Sequence, residues 1–251
     1  WCKEEEGYSL YIRPFIFASS ECVKASSSED FTFIIITSPT TTYYPGEVNL
    51  VIEEYFTRAS KGGVGFAKAA GNYAATFYPT KLANSKGFQQ VIWMDSNEHK
   101  YIEECGTMNI WFRIGDKLIT PKLSDSILDG ITRNSIITLA KDFGIELEER
   151  RILVSDLVEA YNSGELKEVF GTGTAVAVSF ITSITFREDK MTLPTIEDSF
   201  ALKLNSPDQS FSFMSKKSLK EILRSCRISI INLLILSVFH LGKCENAIQY
   251  A

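Results

Sequence analysis

Lys68 stands in the stretch KGGVGFAKAAGN (Lys61 to Asn72), where most of its neighbours are glycine or alanine. An exposed lysine needs no such clearance. Small neighbours leave space for a flat ring beside the amine, and desolvation of an ammonium favours its neutral, nucleophilic form. Such an amine can bond covalently to a carbonyl carbon. The spacing fits neither a P-loop nor a GxGxxG turn. On these residues alone, a solvated surface lysine is an equal reading.

Other groups of matching chemistry lie along the chain. Tyr73, five residues after Lys68, places a phenol where it can donate to an oxygen on the same ring, or it packs as a helix tyrosine. EECGTMN (Glu103 to Asn109) puts a carboxylate before a small-residue turn. A buried carboxylate there needs a cationic partner, and a protonated pyridine nitrogen is one. Strand alternation sends one of Glu103 and Glu104 inward and leaves the other facing water. In ILDGITRN, Gly130 precedes a helix start, so the N–H groups of Ile131 and Thr132 form an anion site suited to phosphate. FGTGTA (Phe170 to Ala175) is a second small-residue turn, open to binding an anion or to being a plain hairpin. An amine, an acid, a phenol and two anion-binding turns together make the parts list for pyridoxal phosphate and an amino acid.

These groups need a scaffold, and the composition provides for one. The chain has 251 residues, 45% of them hydrophobic, enough for one large domain or two small ones. Its net charge of −5 (31 acidic, 26 basic residues) and lack of a basic stripe argue against nucleic acid. Five cysteines without a CxxC pair read as reduced thiols in a cytoplasmic protein, with no metal site. ISIINLLILSVFHL (Ile228 to Leu241) is shorter than the roughly 20 residues that span a bilayer, so no membrane anchor is expected.

The periodicities give an α+β fold with a mixed, mostly antiparallel sheet. Strands are expected over Tyr8 to Phe17, Asp30 to Ser38, Val48 to Arg58 and Phe88 to Asp95. KYIEECGTMNIWFRIGDKLITP reads as two strands joined at Gly115-Asp116. Helices are expected over Asn72 to Lys86 with an Asn72 cap, over Thr132 to Phe143 with a Thr132 cap, and over Ser155 to Asn162. Pro79 would kink or interrupt the first of these. Gly144 would stop the second.

SLYIRP, KGGVGFAKAAGNYAA, QQVIW, HKYIEECGTMN, SDSILDGITR and FGTGTA, in that order, resemble the branched-chain amino acid aminotransferases of pyridoxal-phosphate fold type IV. The resemblance covers roughly residues 8 to 197. It implies a D-amino acid aminotransferase-like sheet or barrel with flanking helices, and pyridoxal 5'-phosphate as cofactor. Lys68 would carry that cofactor covalently and then shuttle the substrate's α-proton. Tyr73 would bond the cofactor's phenolic oxygen, and Glu104 its pyridine nitrogen. Ile131 and Thr132 would hold the phosphate, Leu128 would lie beneath the ring, and Arg58 close to it. Thr174 and Ala175 would take the substrate carboxylate. Tyr11 and Arg13 would belong to the substrate pocket, the arginine serving the distal carboxylate of glutamate, with Tyr43 on the interdomain loop.

The implied reaction moves the amino group of L-leucine, L-isoleucine or L-valine to 2-oxoglutarate, giving L-glutamate, in a cytoplasmic homodimer. Related fold type IV enzymes, the D-amino acid aminotransferases and aminodeoxychorismate lyases, are the neighbouring alternative. An inactive fragment with weak cofactor binding is another. The family carries about a hundred further residues before LYIRP, the size of a small domain. Residues 1–38 would then be the remnant of that domain, 39–47 the interdomain loop, 48–205 the large cofactor-binding domain and 206–251 an atypical C-terminal segment. Thr40-Thr41 stands where the family has Val-Gly, and Asp129 where small residues or proline are usual. Ala175 and Val178 replace the redox cysteines of the mammalian enzymes, so no thiol switch is expected.

Overall fold

The computed structural model describes residues 8–40, 48–174, 177–195 and 197–205. Two compact units divide the chain, Trp1–Gly46 and Glu47–Ala251. In the first, the alternating run expected near the start forms β1 (Ser9–Ala18), which pairs antiparallel with β2 (Phe31–Thr40). Ser20 ties the polar loop between them: its Oγ accepts the backbone N–H groups of Glu29 (3.0 Å) and Asp30 (2.8 Å).

The second unit opens with β3 (Asn49–Ile52), in which Leu50 and Ile52 point inward by alternation. This strand stops well short of Arg58. The Glu53 carboxylate accepts the N–H groups of Tyr55 (2.9 Å) and Phe56 (3.1 Å) and turns the backbone out of extension. Next come α1 (Ala70–Ser85), β4 (Gln90–Met94), β5 (Tyr101–Cys105), β6 (Asn109–Ile114) and β7 (Lys117–Pro121). They are followed by α2 (Ile131–Asp142), β8 (Glu146–Arg150), β9 (Ile152–Leu153) and α3 (Val154–Asn162). β10 (Leu166–Gly173), β11 (Ala177–Phe180), β12 (Ser183–Phe186), β13 (Asp189–Thr192) and α4 (Phe200–Asn205) complete the described chain.

The strands of this unit form two mixed sheets, in the orders β13-β12-β3-β4-β5-β9 and β11-β10-β6-β7-β8. Only β12–β3, β3–β4 and β7–β8 pair parallel among the described residues, so the expected α+β fold with mostly antiparallel sheets is what is found. The expected pair of strands around Gly115-Asp116 is in fact three. A turn at Gly106-Thr107 ends β5 in one sheet and starts β6 in the other. Gly106 has a φ of 54°, and a Cβ there would lie 2.4 Å from Gln90 Oε1, so glycine is required.

Helix α1 runs unbroken through Pro79. The proline costs one backbone hydrogen bond, but it lies on the buried stripe Asn72, Thr76, Pro79, Ala83. Ala83 packs there with Val91 and Trp93. Helix α2 lays Ile136, Leu139 and Ala140 on a core of Trp111, Leu118, Phe170 and Phe200. It is capped by Gly130, with no side-chain bond from Thr132, and Gly144 stops it in the left-handed region (φ 67°) as expected.

Phe200 and Ala201 still belong to this core. The buried Glu168 carboxylate accepts the Ser199 hydroxyl (2.6 Å) and the N–H groups of Phe200 (3.0 Å) and Ala201 (2.7 Å), satisfying the start of α4. Glu168→Ala leaves those donors unpaired in the interior, and a loss of about 2–3 kcal/mol in urea unfolding is expected. No change in the unfolding midpoint would contradict that anchoring.

Candidate active site

A buried ion pair in the second unit joins two segments of opposite character. Arg58 lies on the irregular run between β3 and α1, and Glu104 on β5 beside Trp93 of β4. Their exposures are 7% and 3%, and Arg58 Nε sits 3.1 Å from Glu104 Oε2. A planar guanidinium has donors to spare. Arg58 Nη2 donates to the carbonyls of Gly65 (3.1 Å) and Ser126 (2.5 Å). One side chain thus ties the lysine loop, the loop before α2 and the acid together.

The other carboxylate oxygen is held as well. The Leu128 N–H donates to Glu104 Oε1 (2.7 Å), and Asn109 Nδ2 reaches the same atom at 3.5 Å while donating to the Leu128 carbonyl (2.9 Å). Burial pushes the Glu104 carboxyl up to about 7. Arg58, the Leu128 N–H and the charge of Lys68 pull it down, and Glu103 pushes it further up. Glu103 is the half-buried member of the pair; its carboxylate accepts the Ser126 hydroxyl, and burial raises it too. Strand alternation separates the two glutamates, yet both end on the segment 126–128.

The loop carrying Lys68 is pinned along its length. Gly62 N–H donates to Asp125 Oδ2 (3.0 Å) and Phe66 N–H to the Asp125 carbonyl (2.9 Å). Asn72 does not cap α1. Ala69 holds the cap position, and the Asn72 amide turns back to donate to the carbonyls of Val64 (2.8 Å) and Ala67 (3.0 Å). Lys68 itself is exposed, contrary to the desolvation expected from its small neighbours, although its charge is felt at Glu104. Tyr73 is half-buried in the first turn of α1.

The start of α2 lies against the same cluster. A Cβ at Gly130 would lie 2.3 Å from Asn109 Oδ1, so glycine lets the helix begin there without displacing the Asn109 amide. Its first turn carries no side-chain cap and no acidic residue, which leaves the N–H groups at Ile131 and Thr132 for a ligand. The departure at Asp129 is exposed, and its carboxylate accepts the Asn134 amide (2.8 Å). Arg133, 1% exposed, fixes the helix from beneath through the Pro121 carbonyl (3.1 Å) and the Glu149 carboxylate (2.6 Å).

Lys68, Arg58, Glu104, Leu128 and the Ile131-Thr132 turn therefore belong to one neighbourhood. Thr174 is an exposed residue in the turn just after β10. Tyr11 and Arg13 lie on β1 in the other unit, where Arg13 Nη2 donates to Tyr11 Oη (2.8 Å). Tyr43, Ala175 and the segment 206–251 lie outside the described residues. Sequence reasoning gave no role to Asn109 or Ser126 and read Asn72 as a helix cap. The signal for Asn109 was its place in EECGTMN; the Ser126 and Asn72 contacts had none. Among the described residues no group of three or more His, Cys, Asp or Glu could hold a metal, and no helix is long and apolar enough to cross a membrane.

Residues 2–184 match the family described as amino-transferase class IV. The chain is 48% identical over 197 residues to a probable branched-chain-amino-acid aminotransferase of Staphylococcus aureus strain N315, covering 77% of this chain and 55% of that protein. The chain thus spans about half the length of such curated relatives. Its fold is similar to the branched-chain aminotransferase of the archaeon Thermoproteus uzoniensis solved with norvaline, at 27% identity and a TM-score of 0.67 over 78% of this chain and 62% of that one. It is also similar to the branched-chain amino acid aminotransferase of Thermobaculum terrenum in its PLP form, at 25% identity and a TM-score of 0.58, covering 70% and 56% of the two chains.

Two outcomes follow from the geometry. Arg58→Leu leaves Glu104 buried without its cation, and a loss of about 3–5 kcal/mol in chemical denaturation is expected. Arg58→Lys recovers only part of it, because an ammonium lacks the fork. The second outcome concerns pH. Glu104 keeps its proton to higher pH in the fold than in the unfolded chain, so its contribution is full below the ordinary 4.5 and is lost as pH rises through about 7. Stability should fall across that window. Glu104→Gln should make the fall shallower, the remainder belonging to Glu103, and an unchanged slope in melting temperature against pH would refute the assignment.

Proposed function

The chain belongs to the amino-transferase class IV family, and from that premise we propose that it transfers the amino group of branched-chain L-amino acids to 2-oxoglutarate with pyridoxal 5'-phosphate. The observation that carries this reading is the single buried cluster that gathers the Lys68 loop, the Arg58–Glu104 pair and the start of α2.

The residues present fit that cofactor. Glu104 is buried so thoroughly that Arg58 does not restore its ordinary value, so a second cation against it is favourable. A pyridinium nitrogen meets that need. The uncapped N–H groups of Ile131 and Thr132 suit a phosphate. Leu128, held from both sides by Glu104 and Asn109, offers an apolar floor for a ring. Tyr73 would donate from its phenol to the ring oxygen.

Pyridoxal phosphate, when bound, supplies an aldehyde carbon for an amine and a ring that accepts the electrons released when a Cα–H bond breaks. The protein's part is positioning and proton transfer. The Lys68 Nζ would bind the cofactor and, once displaced, would carry the amino acid's α-proton to the carbon that had been the aldehyde; the second half-reaction would run the same transfer in reverse onto the 2-oxo acid. Glu104 holds the ring nitrogen in its cationic form, and Arg58 keeps the carboxylate fixed. By the resemblance, Thr174 and Ala175 would take the substrate carboxylate, and Tyr11, Arg13 and Tyr43 would be substrate-contacting residues. Arg13 serves the distal carboxylate of the dicarboxylic partner. The enzyme would work as a cytoplasmic homodimer.

The test is the purified chain with added pyridoxal phosphate. A yellow chromophore is expected, together with borohydride-stable labelling of Lys68 and turnover of L-leucine with 2-oxoglutarate. Lys68→Ala should abolish all three. Labelling without turnover would favour a chain that only binds the cofactor, and turnover of D-alanine without L-leucine would reassign the substrate.

A further inference from the structure

Lys68 lies on a turn, exposed, with no helix or strand of its own, yet a reactive amine must be presented from a fixed point. The bonds that fix the turn fall into two groups. Arg58 and Asp125 hold its front: Arg58 Nη2 on the Gly65 carbonyl, Asp125 on the N–H groups of Gly62 and Phe66. The rear is held from α1. Asn72 Nδ2 donates to the carbonyls of Val64 (2.8 Å) and Ala67 (3.0 Å). The Ala67 carbonyl belongs to the peptide unit that joins Ala67 to Lys68, so this bond fixes the plane from which the Lys68 backbone departs.

We propose that Asn72 is a positioning residue for Lys68, its side-chain amide clamping the peptide unit that carries the lysine.

The residue type follows from the task. One NH2 group carries two hydrogens, and two carbonyls face it. A hydroxyl offers one hydrogen, and a carboxylate would present lone pairs to lone pairs. Burial makes the choice strict, since Asn72 is 7% exposed and little water is present to replace a lost donor. The helix gains nothing from this amide as a cap, because Ala69 holds that position and Asn72 lies inside the first turn. A polar side chain on the buried stripe of α1 is therefore committed to the loop. The same helix offers a control. Thr76, 5% exposed and one turn further on, bonds within its own helix among the described residues, its hydroxyl donating to the Tyr73 carbonyl (2.7 Å).

The test compares Asn72→Asp, Asn72→Ala and Thr76→Val in the full chain by two readouts. The first is hydrogen exchange at the Phe66 and Ala67 amides, which needs no cofactor. Exchange about tenfold faster in both Asn72 variants, with Thr76→Val matching the parent after correction for melting temperature, is the expected result. The second is the rate of borohydride-trapped labelling of Lys68 by pyridoxal phosphate, expected to drop several-fold in the Asn72 variants alone. This arm rests on the proposed role of Lys68. If the parent chain takes no label, that role fails while the exchange arm still decides the clamp. Unchanged exchange in Asn72→Ala, or an equal change in Thr76→Val, would overturn the proposal. Faster exchange with labelling at the parent rate would overturn the positioning role, leaving a bond that only stiffens the loop.

Discussion

Burying a carboxylate is unfavourable by several kcal/mol unless cations and N–H donors replace the water it loses. Glu104 sets that requirement here, and the surroundings of the site are arranged around meeting it. Arg58 supplies the charge, Leu128 and Asn109 supply the N–H groups, and each of these residues belongs to a different segment. Satisfying one acid therefore brings together the run after β3, strand β5, the start of β6 and the loop before α2. The compensation is incomplete, since the carboxyl remains raised to about 7. A residue left in that condition favours a further positive charge beside it, which is the electrostatic basis of the proposed cofactor site.

Arg58 extends the same logic outward. After pairing with Glu104 it still has donors, and they go to backbone carbonyls of the two loops that flank the acid. Those loops contain no regular structure of their own, so side-chain bonds to their backbones replace the ladder that a strand would provide. Asp125 and Asn72 act in the same way, and the Ser126 hydroxyl donates to the Glu103 carboxylate to hold the second loop against β5. The outcome is an irregular but well-tethered surface at the meeting of two sheets, the setting in which binding groups are commonly presented by loops on a rigid scaffold.

Much of this was legible in the sequence. Strand runs rich in Ile, Val and Phe produced strands, and the fold class followed from them. The lysine, the acid and the helix start before Thr132 were each flagged by residue type and spacing, and the structure places them together. Four features were not legible. The end of β3 at Ile52 depends on the Glu53 side chain folding onto its own backbone, a local bond that competes with an apolar pattern continuing to Phe56. Pro79 stays inside α1 because packing on a buried stripe outweighs one missing hydrogen bond. Asn72 has the composition of a cap, and only the path of the preceding loop redirects its amide. The turn at Gly106 was visible as a small-residue turn, but not that it separates the strands of Glu104 and Asn109 into two sheets.

The claim that the buried Arg58–Glu104 pair organises the site is tested most directly by a double-mutant cycle. The parent, Arg58→Leu, Glu104→Leu and the double variant would be unfolded in urea at about pH 8, where the acid is ionised. A strong coupling is expected, about 2 kcal/mol or more, with the double variant more stable than Arg58→Leu alone. Additive losses from the two single variants would contradict the account.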